Sequence, residues 1–155
     1  MLIKRIVFTS ILILWMIIIF MFSNANSVKS QNTSDKVANT VIDTVSEVTK
    51  KEFSTKTRKS IVEDTRFYVR KTAHFTLYFI LGILTYITLT SYGVSKNIII
   101  LSISFCLLYS ISDEIHQIYS DGRTFKVLDI FIDTLGITIS IILTNFIRTK
   151  LVLKK

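Results

Sequence analysis

A single cysteine, Cys106, set inside an apolar run, excludes an internal disulfide and any metal centre built from thiolates. Two histidines, His74 and His116, are too few for a histidine-rich metal cluster. Proline is absent altogether, and only 19% of the 155 residues are charged, against roughly 25% in an average soluble domain. With half of the residues hydrophobic and a mean hydropathy of +0.51, that scarcity argues against a soluble enzyme and against a disordered chain. The length suits one domain. What charge there is runs positive, 19 basic residues against 11 acidic for a net +8, which in a soluble chain would point to nucleic acid. Where the charges sit decides otherwise.

A membrane span needs about 20 apolar residues to cross roughly 30 Å of hydrocarbon. Four runs compete: residues 6–22, 72–95, 97–112 and 127–147, of which the first three are uncharged and the fourth contains only Asp129 and Asp133. The third is short, and the fourth works only if its aspartates have partners. Four buried helices of a soluble bundle would carry charges every turn on their solvent faces, and these have almost none. The expected fold is therefore an all-α integral membrane protein, a bundle of four transmembrane helices over residues 3–22, 72–92, 97–113 and 126–147 in one domain covering 1–155. Lys4-Arg5, the first apolar run and Ser23-Asn24-Ala25 also fit a cleaved signal peptide. That run exceeds the roughly 7 to 15 residues usual for such a peptide, so a retained span is expected.

Orientation follows from the basic residues. With both termini cytoplasmic, the inner segments hold Lys4, Arg5, Lys96, Arg148, Lys150, Lys154 and Lys155 and no acidic residue. All 11 acidic residues then lie outside with the other 12 basic ones. Taken alone, the ten basic residues of the outer loop, 23–71, oppose the positive-inside rule, but the acid-free termini decide for the inside. The excess charge is thereby accounted for by topology, and nucleic acid is not an expected partner. Within the loop, residues 23–34 are rich in Ser, Asn and Thr and read as irregular. From Asp35 onward Val37, Val41, Val45 and Val48 recur at helical spacing among charges, the pattern of an extracytoplasmic amphipathic helix. Such a helix could lie in the headgroup layer, cover the outer mouths of the spans, or be solvated and merely touch the bundle. Residues 50–59 show no apolar periodicity. Asp121-Gly122 is a turn signal, and Gly93 suits a helix C-terminus.

Polar groups at membrane depth carry the functional information. Arg70, His74 and Tyr78 recur every four residues and so share one helix face, with Lys71 and Gly82 beside it. Asp113, Glu114, His116 and Gln117 close the third span, and Arg123 follows in the turn. Asp129, Asp133 and Gly136 share a face of the fourth. All three clusters fall at the same, outer boundary. Asp133 sits roughly 10 Å below it, where a lone carboxylate costs about 2.5 to 3.5 kcal/mol. It needs a donor from Arg70, Arg123, Tyr78 or His74. The network could simply fasten the helices. It could form a pocket whose arginines hold an anionic or amide-rich headgroup, or one in which Glu114 or Asp113 is a general base with His74 as partner. No hydrolase, metalloprotease or phosphate-loop signature is present, and no cofactor or metal is expected.

Arg70-Lys71-x-x-His74-Phe75-x-x-Tyr78-x-x-Leu81-Gly82, Asp113-Glu114-x-x-Gln117, Arg123 and Asp129-x-x-x-Asp133-x-x-Gly136, with Trp15-Met16 through Phe22-Ser23 at the end of the first span, follow one another in an order that resembles the VanZ-like membrane proteins. That family takes its name from an accessory determinant of teicoplanin resistance. The resemblance implies a multi-pass protein of the bacterial cytoplasmic membrane, in a family some members of which lower susceptibility to lipoglycopeptides, and it makes the motif residues a candidate binding or catalytic pocket without assigning a reaction. Two residues depart from the pattern: Leu77 stands where many members have an acid, and Asp133 where others have Asn. A mechanism needing the first acid does not carry over.

Three functions remain open. The first is an envelope protein that binds an amphiphile headgroup, with membrane lipids and a lipoglycopeptide or wall-precursor lipid as partners. The second is a membrane enzyme acting on such a lipid through Glu114 or Asp113, with Arg70 and Arg123 holding the substrate. The third is a structural partner of a larger membrane complex, touched through residues 35–51.

Overall fold

The computed structural model describes residues 1–23, 27–50, 53–119 and 124–153; Asn24 and Ala25, the Asp121-Gly122 turn and Arg123 lie outside them. Among the described residues there are five α-helices and no strand: α1 (Leu2–Ser23), α2 (Ser27–Thr49), α3 (Thr55–Ser91), α4 (Ile98–Gln117) and α5 (Val127–Leu153). Four of them, α1, α3, α4 and α5, are long and apolar enough to cross a membrane. Their outer faces are apolar: Ile13, Leu14, Ile17 and Phe20 on α1 and Phe131, Leu135, Ile139, Ile142 and Phe146 on α5 are all exposed. Asp113, Glu114, Asp129 and Asp133, the carboxylates of α4 and α5, are buried instead. In water such a surface would be one continuous sticky patch, whereas lipid is its natural solvent.

The spans run longer than the uncharged stretches. The short third run becomes a 20-residue helix because it continues past Asp113 to Gln117. Charge does not end it there, since Asp113, Glu114 and Gln117 all face the bundle interior. α3 is a single helix of 37 residues, about 55 Å long at 1.5 Å per residue, and so projects well beyond a 30 Å hydrocarbon layer. Ser54 caps its start by accepting a bond from the Thr57 N–H, and neither glycine nor proline interrupts it before Gly82. It ends where Gly93, at φ 86°, lets the Gly93 and Val94 N–H groups reach back to the Thr90 and Leu89 carbonyls at 3.0 and 3.2 Å.

The outer segment differs most from the sequence reading. Residues 27–34, expected to be irregular, are the first part of α2. Thr40, Thr44 and Thr49 turn their hydroxyls onto the carbonyls four residues back, which removes the competition that weak helix formers usually present. α2 lies along the projecting half of α3 through Ser34, Ala38 and Ile42, all buried. The expected apolar stripe is not that contact: Val37, Val41, Val45 and Val48 are exposed. Arg58–Asp43 at 2.5 Å and a bidentate Arg66–Asp35 pair fix the register. The Arg66 guanidinium holds the Asp35 carboxyl below its ordinary range through that hydrogen bond.

Within the bundle α3 and α5 run parallel and touch most closely. Lys71 meets Asp129, His74 meets Asp133, and Tyr86 bonds Asn145 at 2.7 Å, so positions advance together along both helices. α1 is antiparallel to α3, with Arg5 on the Ser91 carbonyl at 3.1 Å and Trp15 on the Leu77 carbonyl at 3.0 Å. α4 is antiparallel to α3 and α5, with Cys106 against Thr85 and Ser110 against Asp133. The start of α1 and the end of α5 therefore lie on one side and the α2–α3 hairpin on the other. Alkaline phosphatase and green fluorescent protein fused at the C-terminus and near Lys56 should report opposite sides; both reporters on one side would refute this arrangement.

Candidate functional site

Each wall of the site is a helix stripe of four-residue period. On α4, Ile98, Ser102, Cys106, Ser110 and Glu114 are buried, so the face that carries the acid is lined above it by small side chains. On α5, Asp129 and Asp133 are fully buried and lead into Gly136, Ile137 and Ser140. On α3, His74, Tyr78, Leu81 and Gly82 are buried, and Arg70 and Lys71 lie one turn outward. Small residues let the backbones approach: a Cβ on Gly136 would stand 2.7 Å from the Phe75 carbonyl oxygen.

Asp133 is held from both sides. His74 Nδ1 lies 3.1 Å from one carboxylate oxygen and Ser110 donates its hydroxyl to the other at 2.7 Å. Of the donors expected for Asp133, His74 is the one in place among the described residues, and Ser110 adds a donor outside that set. The signal for it existed in the four-residue spacing of Ser102, Cys106, Ser110 and Glu114. Asp129, one turn earlier, is paired with Lys71. The Lys71 ammonium rather than the Arg70 guanidinium answers Asp129, and it also stands 5.3 Å over the Phe67 ring.

The third group is Asp113, Glu114 and Gln117. Gln117 donates its amide to Glu114 at 2.9 Å and to Asp113 at 3.4 Å, and its carbonyl accepts from Arg70 at 3.5 Å. The backbone N–H of Lys126 donates to the second oxygen of Glu114 at 3.0 Å, tying the α4–α5 connection to the cluster. Neither Asp113 nor Glu114 has an ion-pair partner among the described residues. Oδ1 of Asp113, Oδ2 of Asp129 and the Tyr78 hydroxyl are buried without a hydrogen-bond partner among the described residues. A donor atom from each of His74, Glu114 and Asp129 lies within 4.8 Å of the others.

The structure thus brings Arg70, Lys71, His74, Tyr78, Asp113, Glu114, Gln117, Asp129 and Asp133 to one end of α3, α4 and α5, while Arg123 lies outside the described residues. His116 is turned away from the cluster and stacks on Phe20 of α1 at 4.4 Å. Chemically the arrangement offers four buried carboxylates, one imidazole and a rim of two fixed cations. It can hold an anion at the rim, a cation among the oxygens, or a proton on either.

One protein family's sequence model, described as VanZ/LLP1, matches residues 8–148, nearly the whole chain. No curated protein and no solved structure matches it.

Proposed function

Since the chain belongs to the VanZ/LLP1 family of membrane proteins, we propose that it is a bacterial cell-envelope protein which lowers susceptibility to teicoplanin-type lipoglycopeptides, its polar cluster receiving an amphiphile headgroup at the outer leaflet. The observation that carries this reading is the convergence of Arg70 and Lys71 on the rim of a buried carboxylate group at one end of the bundle. Guanidinium and ammonium groups at that depth suit a phosphate or carboxylate headgroup, and the carboxylates beneath suit its amine or amide. The acid-free basic residues of both termini support a cytoplasmic orientation for them, and with it an outer-face position for the cluster.

Glu114→Gln tests the reading. The substitution keeps the size of the side chain and its oxygen can keep the Lys126 N–H, so the packing is retained while the charge is lost; the cost falls on Gln117, which gives up its longer bonds to Asp113 and Arg70 if it turns its carbonyl to the new donor. Teicoplanin resistance should disappear at a normal level of membrane protein by immunoblot. Resistance falling only in proportion to protein abundance would make the cluster a fastener, and full resistance would end any role for this carboxylate.

A second reading, a membrane enzyme acting on a lipid or wall precursor with Glu114 or Asp113 as base, is favoured by one observation: both acids are buried without an ion-pair partner among the described residues, with His74 in the same cluster.

A further inference from the structure

We propose that His74, Glu114 and Asp129 bind a divalent cation of the zinc or manganese type between α3, α4 and α5. Three observations converge. The donor atoms lie within 4.8 Å of one another. Ligands about 2.0–2.2 Å from a common ion stand roughly 3–4 Å apart, so closure needs side-chain adjustments of less than about 1 Å. Second, Oδ2 of Asp129 is buried with no hydrogen-bond partner among the described residues, although Lys71 occupies Oδ1. A buried carboxylate oxygen left bare carries a desolvation cost that a metal ion would offset. Third, His74 presents Nδ1 to Asp133, which leaves Nε2 as its ligating nitrogen. A carboxylate on the far nitrogen of a metal-bound imidazole fixes ring orientation and raises its basicity.

Asp133 is thus a positioning residue, held in turn by Ser110 at 2.7 Å. The donor set selects the ion. One imidazole with carboxylates suits a borderline metal, whereas magnesium keeps most of its water and calcium asks for six to eight oxygens. Three protein ligands leave a coordination position open, in which water or an anionic oxygen would sit. The inference goes beyond the headgroup reading and does not depend on teicoplanin. Counting histidines and cysteines in the sequence could not find the site, because it uses one histidine and draws its other ligands from two different helices.

The test uses the full chain, purified in detergent and dialysed against chelator, then titrated separately with zinc, manganese, cobalt and magnesium chlorides. Expected are one bound zinc or manganese ion per chain by mass spectrometry of the metal, a raised unfolding temperature, and a visible cobalt absorption band, with magnesium far weaker. His74→Gln and Asp129→Asn should abolish the cobalt band, Asp133→Asn should weaken binding about 10–100-fold, and His116→Gln should change nothing. Folding of each variant is checked by circular dichroism and size exclusion; if a variant fails to fold, the wild-type stoichiometry and cobalt band decide. No stoichiometric ion on folded wild-type chain, which would mean that Lys71 alone satisfies Asp129, overturns the proposal. So does binding that survives His74→Gln and Asp129→Asn, which would be surface adsorption.

Discussion

Gly136→Leu should leave no folded protein in the membrane, and Gly136→Ala should lower the unfolding temperature in detergent by on the order of 5–10 °C. The reason is the identity of the neighbour. A Cβ at Gly136 meets the Phe75 carbonyl oxygen at 2.7 Å and the Phe79 nitrogen at 3.3 Å, and both are helix backbone that cannot rotate aside. Separating α3 from α5 is the remaining relief, and it would pull His74 from Asp133 and Lys71 from Asp129. Overpacking of this kind costs about 1–3 kcal/mol for a single carbon. Gly82 is the control. Its added Cβ would strike the Ser140 hydroxyl, a side chain, before the Ile137 carbonyl oxygen at 3.1 Å. Gly82→Ala should therefore be largely rescued by Ser140→Ala, while no side-chain change on α3 should rescue Gly136→Ala. A thermally normal Gly136→Ala would show that α3 and α5 are not in this contact.

The same two helices show what the sequence could and could not reveal. Spans were legible because charge is absent over stretches as long as the hydrocarbon is thick, a signal that needs no knowledge of packing. The shared faces of Arg70, His74 and Tyr78, and of Asp129 and Asp133, follow from helix periodicity alone. Partner choice does not. Whether Lys71 or an arginine answers Asp129 depends on how far α3 rotates against α5, which the glycines at 82 and 136 set through close approach. The role of Ser110 is hidden for a related reason: in an apolar run a serine reads as filler until a carboxylate stands opposite it. The α2 stripe locates a helix but not its packed face. Val37, Val41, Val45 and Val48 have the right period, yet the contact with α3 is one residue along, at Ala38 and Ile42 with Ser34, because the Arg58–Asp43 and Arg66–Asp35 pairs fix the rotation. Apolar periodicity locates a helix more securely than it locates the face that packs.

Breaking the His74–Asp133 pair one member at a time should be far more damaging than removing both. In His74→Phe, Asp133 keeps the Ser110 hydroxyl but loses its imidazole, and one oxygen of a fully buried carboxylate is left without its hydrogen-bond partner. Removing one partner from a buried pair costs about 3–5 kcal/mol, whereas replacing both by apolar groups of similar volume is often neutral. Asp133→Leu alone leaves the imidazole facing a hydrocarbon group and should be intermediate. The double variant, His74→Phe with Asp133→Leu, should recover most of the folded protein, a coupling that two independent sites would not show. Recovery of the fold need not recover activity. On the proposed function the double variant reaches normal abundance and still gives no teicoplanin resistance, because the imidazole and carboxylate that shape the cluster are gone. Restored resistance in the double variant would reduce this pair to a fastener, and absence of any thermal rescue would mean that Asp133 draws its stability from Ser110 and the remaining neighbours rather than from His74.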